Sequence, residues 1–109
     1  MIKRGSVVFL KEGSAPRTAC PYVVVSNDKG NQYSGSILIV PINGYEKRAD
    51  LPTHAYTGHN NDVAMCEHIM SVDVEAIDRM VDVLSDMTAI DRSLAVTLGL
   101  SAYNGNESA

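Results

Sequence analysis

Glu67 and His68 are neighbours, a carboxylate beside an imidazole that titrates near neutrality. General acid–base catalysis draws on that pairing. Adjacent strand residues face opposite sides, so one of the two looks into any given groove. His54, His59 and Asp62 add further metal-type ligands. No HxH or HxxxH pair on one element joins them to His68, so neither a metal nor another cofactor is expected. Cys20 and Cys66 lie far apart and outside any CxxC spacing. Zinc and a disulfide framework are therefore not expected, and both thiols read as reduced. No base is paired with Cys20 by signature, and a cysteine before an apolar strand reads as packing. Lys29, Lys47 and Arg48 are of the type that grips phosphate oxygens. Arg17 sits in a polar loop, residues 11–20, that also holds Gly13, Ser14 and Pro16, and such loops often carry functional groups.

The chain that positions these groups has 109 residues, room for one domain and one core. Its 45% apolar and 20% charged content is that of an ordinary globular fold. A net charge of −4 argues against broad, charge-driven nucleic-acid binding. A local basic groove stays open, because Arg4, Lys11, Arg17, Lys29, Lys47 and Arg48 all fall in the first half. No apolar run approaches the roughly 18 to 20 residues of a membrane span. The N-terminal Met-Ile-Lys-Arg-Gly enters a strand with no signal-peptide core behind it, so a cytoplasmic protein is expected.

Two β-branched runs, residues 22–25 and 37–42, are apolar on both faces and too short for helices. Strands of that kind belong in the middle of a small barrel or sandwich. Residues 6–10 read as a first strand, 51–57 as a weak fourth, 63–72 as the longest candidate after the central pair, and 79–84 as a last one. Residues 29–35 suit one helical turn, and 44–50 a hairpin-like link. Asp73 suits the N-cap of a short helix over 74–78. Ser85 is expected to cap the long helix, on which Met87, Ile90, Leu94 and Leu98 recur at helical spacing. Gly99 should weaken its last turn. The expected architecture is mainly β with α: five to six short strands in a bent, barrel-like sheet with a C-terminal helix. The domain is expected over 1–101 and a tail over 102–109.

Several phrases line up in order with a known family. Lys3-Arg4-Gly5-Ser6-Val7-Val8 resembles the KRGDV opening of the MazF/PemK toxins. Residues 20–28 resemble their RPVVVISND, and residues 31–43 their NRxSxTVIVxxIT. Leu51-Pro52-Thr53-His54 resembles LPTHV, and residues 66–73 resemble LEQIRTID. Leu84-Ser85-Asp86 and residues 97–100 resemble the LSD…SLGL ending. The resemblance covers almost the whole chain, with one shortened loop.

It implies an SH3-like barrel of the CcdB/PemK type in a cytoplasmic bacterial toxin. Such toxins are usually homodimeric and are held inactive by a cognate antitoxin. Most are metal-independent, sequence-selective endoribonucleases that cut single-stranded RNA through attack by the adjacent 2′-hydroxyl. CcdB, on the same fold, poisons gyrase without cutting, so fold alone does not decide the activity. The family's phosphate-site arginine and threonine fall at Cys20 and Asn43 here. Arg17, three residues before Cys20, is expected to bring a guanidinium to the vacated place. Glu67 or His68 would exchange protons, with Asn43 and Ser26 holding the RNA backbone. Asn27, Lys29, Lys47, Arg48 and Ser71 complete the expected RNA contacts. Met70 replaces a family arginine, and His54 reads as structural. The alternative is a binding module that keeps the barrel and has lost the nuclease chemistry.

Overall fold

A computed structural model of the chain describes residues 2–15, 20–44, 50–60 and 62–100. Its central strands are β1 (Ser6–Leu10), β2 (Tyr22–Val24) and β3 (Ser36–Asn43). Alternating side chains feed two separate cores, as a strand apolar on both faces must. Val7, Val23, Val40 and Ile42 lie in one core with Ile90. Val8, Val24, Ile37 and Ile39 lie in the other with Tyr22 and Leu10. This double burial fixes the register, since a slip of one residue would exchange the two sets.

The remaining strands are β4 (His54–Tyr56), β5 (Val63–Met65), β6 (Met70–Asp73) and β7 (Ile77–Val83). Seven strands thus form one antiparallel sheet in the order β4-β5-β3-β2-β1-β7, with β6 also on β3. Five or six were expected. The difference comes from residues 63–72, which do not run as one strand. Both halves share one edge of β3: Asn43 pairs with Val63, and Ile39 with Met70. Between them the chain must turn, and His68 N donates to Met65 O at 3.1 Å to close that turn. Among the described residues, the sheet does not close into a barrel through strand pairing.

Local chemistry sets the helices. Asn27 Oδ1 accepts from Gly30 N at 2.8 Å and starts α1 (Asp28–Tyr33). Asp73 caps as expected, but the helix it starts is one 3₁₀ turn, Val74–Ala76, and Ile77 already belongs to β7. The long helix α2 (Thr88–Leu98) begins later than a Ser85 cap would give. Met87 is its N-cap residue, and Asp86 Oδ1 accepts from Thr88 N at 2.9 Å instead. Gly99 ends the helix rather than weakening it. At φ 71° it adopts the left-handed conformation, and Leu100 N reaches back to Ala95 O at 2.8 Å. Ile90, Leu94 and Met87 set α2 on the Val7–Val23–Ile42 core.

Arg4 ties the N-terminus to this frame. Its Nε donates to Val25 O at 2.7 Å, a terminal guanidinium nitrogen meets Asp91 of α2 at 2.7 Å, and its amide donates to Asp28. Gly5 follows at φ +97°, where a Cβ would stand 3.2 Å from Leu84 O. No helix among the described residues is long and apolar enough to cross a membrane.

Candidate functional site

Cys20 and Asn43 both lie at one end of the central strand pair, Cys20 two residues before β2 and Asn43 the last residue of β3. Tyr22 pairs with Pro41, and Ile42 N donates to Pro21 O at 3.0 Å. Continuing that register places Cys20 opposite Asn43. Asn43 is half-buried, and its side-chain oxygen accepts from Gly44 N at 2.7 Å. Cys20 is also half-buried and packs against the Val8–Tyr22–Ile39 core. Arg17, Lys47 and Arg48 lie outside the described residues, as does most of the expected link at 44–50.

Glu67 stands on the turn between β5 and β6. Its Oε2 is 2.9 Å from His54 Nε2 and 3.7 Å from His68 Nε2. The His54 ring is only 7% exposed, against 36% for the Glu67 side chain and 60% for His68. Glu67 is therefore held from behind by a buried imidazole and faces outward. Partial burial disfavours its charge. Hydrogen bonds from His54, its own backbone and Thr53, with the attraction of His54, outweigh that and hold the carboxyl below the usual glutamate range. It is ionised at neutral pH, the state of a base. His54 opens β4, with its N–H on Leu51 O at 2.9 Å, and its carbonyl accepts from Ser93 Oγ of α2 at 3.3 Å. Behind the turn, burial first and then the Glu67 and Asp91 charges push the Cys66 thiol up to about 12.

His54 pairs with Met65 across the β4–β5 hairpin, while Tyr56 pairs with Val63, opposite Asn43. The His54–Met65 rung thus lies two residues of strand from the Tyr56–Val63–Asn43 rung, and Glu67 lies beyond it on the turn. Sequence reasoning joined Glu67 to His68 and left His54 as structural. The nearer partner, thirteen residues away, is brought in by hairpin register.

The other expected contact residues are spread over the surface. Ser26 Oγ accepts from Leu38 N at 3.0 Å and hydrogen-bonds the buried Asn31 side chain, whose Nδ2 returns to Ser26 O at 3.0 Å. Asn27 is occupied as the α1 cap. Lys29 is exposed on α1, and Ser71 is exposed on β6, paired with Leu38. An apolar groove of about 350 Å³ runs beside α2 between Leu38, Ile69, Leu94, Leu98 and Leu100, with the Arg4–Asp91 ion pair on its wall.

A seven-stranded antiparallel sheet backed by a C-terminal helix, with an outward carboxylate held by a buried imidazole, defines a small, mainly β protein. Residues 3–98 match the family of PemK-like, MazF-like toxins of type II toxin–antitoxin systems. The chain belongs to that family. Solved structures share its fold. A mycobacterial endoribonuclease in complex with its cognate antitoxin is 21% identical, with 92% of this chain and 97% of that one covered at a TM-score of 0.78. The Mycobacterium tuberculosis toxin MazF-mt6 is 18% identical, with 87% and 97% covered at 0.68. A MazE–MazF complex from Deinococcus radiodurans is 20% identical, with 91% and 97% covered at 0.66.

Proposed function

We propose that this chain is the toxin of a toxin–antitoxin pair and cuts single-stranded RNA. The observation that carries the reading is family membership over nearly the whole chain, together with an ionised carboxylate facing solvent beside two imidazoles. In this reading Glu67 takes the proton from a ribose 2′-hydroxyl. The resulting oxygen attacks the adjacent phosphorus, the bond to the 5′-oxygen breaks, and a 2′,3′-cyclic phosphate remains. His68, the more exposed histidine, returns a proton to the leaving 5′-oxygen. Arg17 neutralises the extra negative charge on phosphorus, where Cys20 offers no guanidinium. Asn43 and Ser26 orient the backbone, with Asn27, Lys29, Lys47, Arg48 and Ser71 along the strand. The protein acts in the cytoplasm as a homodimer and is silenced by a cognate antitoxin, without a metal or other cofactor.

Purified protein incubated with a mixed-sequence RNA should cut it equally with and without EDTA, and expression without antitoxin should slow growth. Intact RNA and unimpaired growth together would remove the proposal. Arg17→Ala should restore growth while leaving the protein folded, and sedimentation at micromolar protein should show a dimer.

A second reading is supported by Cys20 and Asn43 standing where the family pattern has arginine and threonine, and by the apolar groove beside α2. In it the chain binds an antitoxin-type peptide, a nucleic acid or gyrase and cuts nothing. Toxicity that survives Arg17→Ala, with no RNA cleavage by the wild type, would select that reading.

A further inference from the structure

We propose that His59 and Asp82 form a clasp that holds the β4–β5 hairpin in place and so positions His54 against Glu67. The mechanistic consequence rests on the nuclease reading above; the structural claim does not.

The two ends of the strand order, β4 and β7, share no backbone pairing. Side chains join them. His59, on the turn after β4, puts Nδ1 2.8 Å from Asp82 Oδ2 on β7, and its ring is only 14% exposed. The turn that presents His59 is knotted on itself. Thr57 Oγ1 accepts from His59 N at 3.0 Å and donates to Asp62 O at 3.1 Å, and Asp62 N donates to His59 O at 2.8 Å. Asn60, at φ 52°, places its side-chain amide 3.4 Å from the other ring nitrogen. Asp82 is fixed in turn, because its second oxygen accepts from Val83 N at 2.8 Å. Asp62, whose charge is disfavoured by burial and favoured by His59, is the other carboxylate near the ring.

The hairpin needs such a hold. β4 and β5 have three residues each, and only Ile42 and Asn43 of β3 pair with β5. A two-stranded ribbon that short is marginal by itself. Its outer strand carries His54, and besides its pairing with β5, where Cys66 N donates to Thr53 O at 2.9 Å, β4 is secured by the buried Ala55 and by α2 through Ser93. Glu67, by contrast, stands on a turn whose two flanking strands are both paired to β3. Releasing the hairpin end therefore moves His54 relative to Glu67. His59 and Asp82 act through His54 and are positioning residues.

Asp82→Ala, His59→Ala and the double variant test this by amide hydrogen exchange and by the NMR chemical shifts of the His54 ring at fixed pH. Each single variant should lower protection at the Thr57 and Asp62 amides about fivefold. The double variant should fall no further than the worse single. The His54 ring resonances should move in the same direction in both singles, toward their positions in Glu67→Gln. His59→Ala keeps the Asp82 charge, so a common shift is not a field effect of β7. Unchanged protection, additive effects, or lost protection with unmoved His54 ring resonances would each overturn the proposal. If Asp82→Ala lost protection in β1 and β2 as well, His59→Ala, which leaves β7 intact, would decide. RNA cleavage should drop in the variants that shift His54. A wild type that cuts no RNA defeats the nuclease reading, while exchange and the His54 ring resonances still decide the clasp.

Discussion

The corner where β2 runs into α1 and the turn between β5 and β6 both gather polar side chains, and they use them in opposite ways. In the corner, Ser26, Asn27 and Asn31 bond one another or nearby backbone, and Asn31 is only 6% exposed. Those groups replace water for each other, which is what a buried polar atom requires. At the turn, Glu67 is held from behind by His54, Thr53 and its own backbone and still shows its charge to solvent. A cluster of polar residues in a sequence therefore says little about chemistry. What matters is which atoms the fold leaves facing outward with their charge intact.

Glu67→Gln should break this contrast most severely. Removing the base while keeping shape and most hydrogen bonds should lower RNA cleavage by about 100-fold or more. Stability should change by less than ~1 kcal/mol, because the carboxylate is partly exposed. The same variant sharpens the pH argument. The folded carboxyl ionises below its unfolded value, so its contribution to stability is complete at neutral pH and is lost as pH falls through the acid range below the ordinary glutamate value. Urea midpoints of wild type and Glu67→Gln should therefore differ at pH 7 and converge as the pH falls below the ordinary glutamate range. A gap that widened in acid would mean that His54 is not what holds Glu67 ionised.

Asn31→Ala should produce the mirror result. It takes the Asn31 side chain away from Ser26, whose Oγ keeps Leu38 N, at a cost of about 1–3 kcal/mol. Cleavage per folded molecule should fall far less than in Glu67→Gln, since Asn31 itself is buried and only the Ser26 contact with the RNA backbone is loosened. If the urea midpoint held and cleavage dropped instead, the assignment of the two regions would be reversed.

Much of this fold was legible from local pattern. The first strand, the doubly apolar central pair, the Asp73 cap and the Met87–Ile90–Leu94 stripe follow from residue type and spacing. The turn at Cys66–Glu67 was not, because it carries no glycine or proline. Only the sharing of one β3 edge by β5 and β6 imposes it. The Ser85 cap misled because Asp86, one residue on, has the longer reach to Thr88 N. In the candidate site, Glu67 was visible as a charged neighbour of a histidine. Its true partner was hidden, since nothing in a one-dimensional chain reports that His54 and Met65 share a hairpin rung. The placement of Cys20 and Asn43 at one end of the strand pair was implied by the family resemblance and follows here from the Tyr22–Pro41 register.

His68→Ala separates the two imidazoles around Glu67 and carries the smallest expected effect. The His68 side chain is 60% exposed and 3.7 Å from Glu67 Oε2, too far for a good hydrogen bond. Its removal should move stability by no more than ~0.5 kcal/mol. As a loosely held acid it competes with solvent protons at the leaving oxygen. Cleavage should therefore fall only about tenfold, below the usual range for a positioned acid, and added imidazole should restore part of it. His54→Ala should behave differently: it frees the Glu67 carboxylate from its anchor, and no soluble imidazole can enter a site that is 7% exposed. Equal rescue of both variants would mean that the buried and exposed rings do the same job, and the distinction between them would fall.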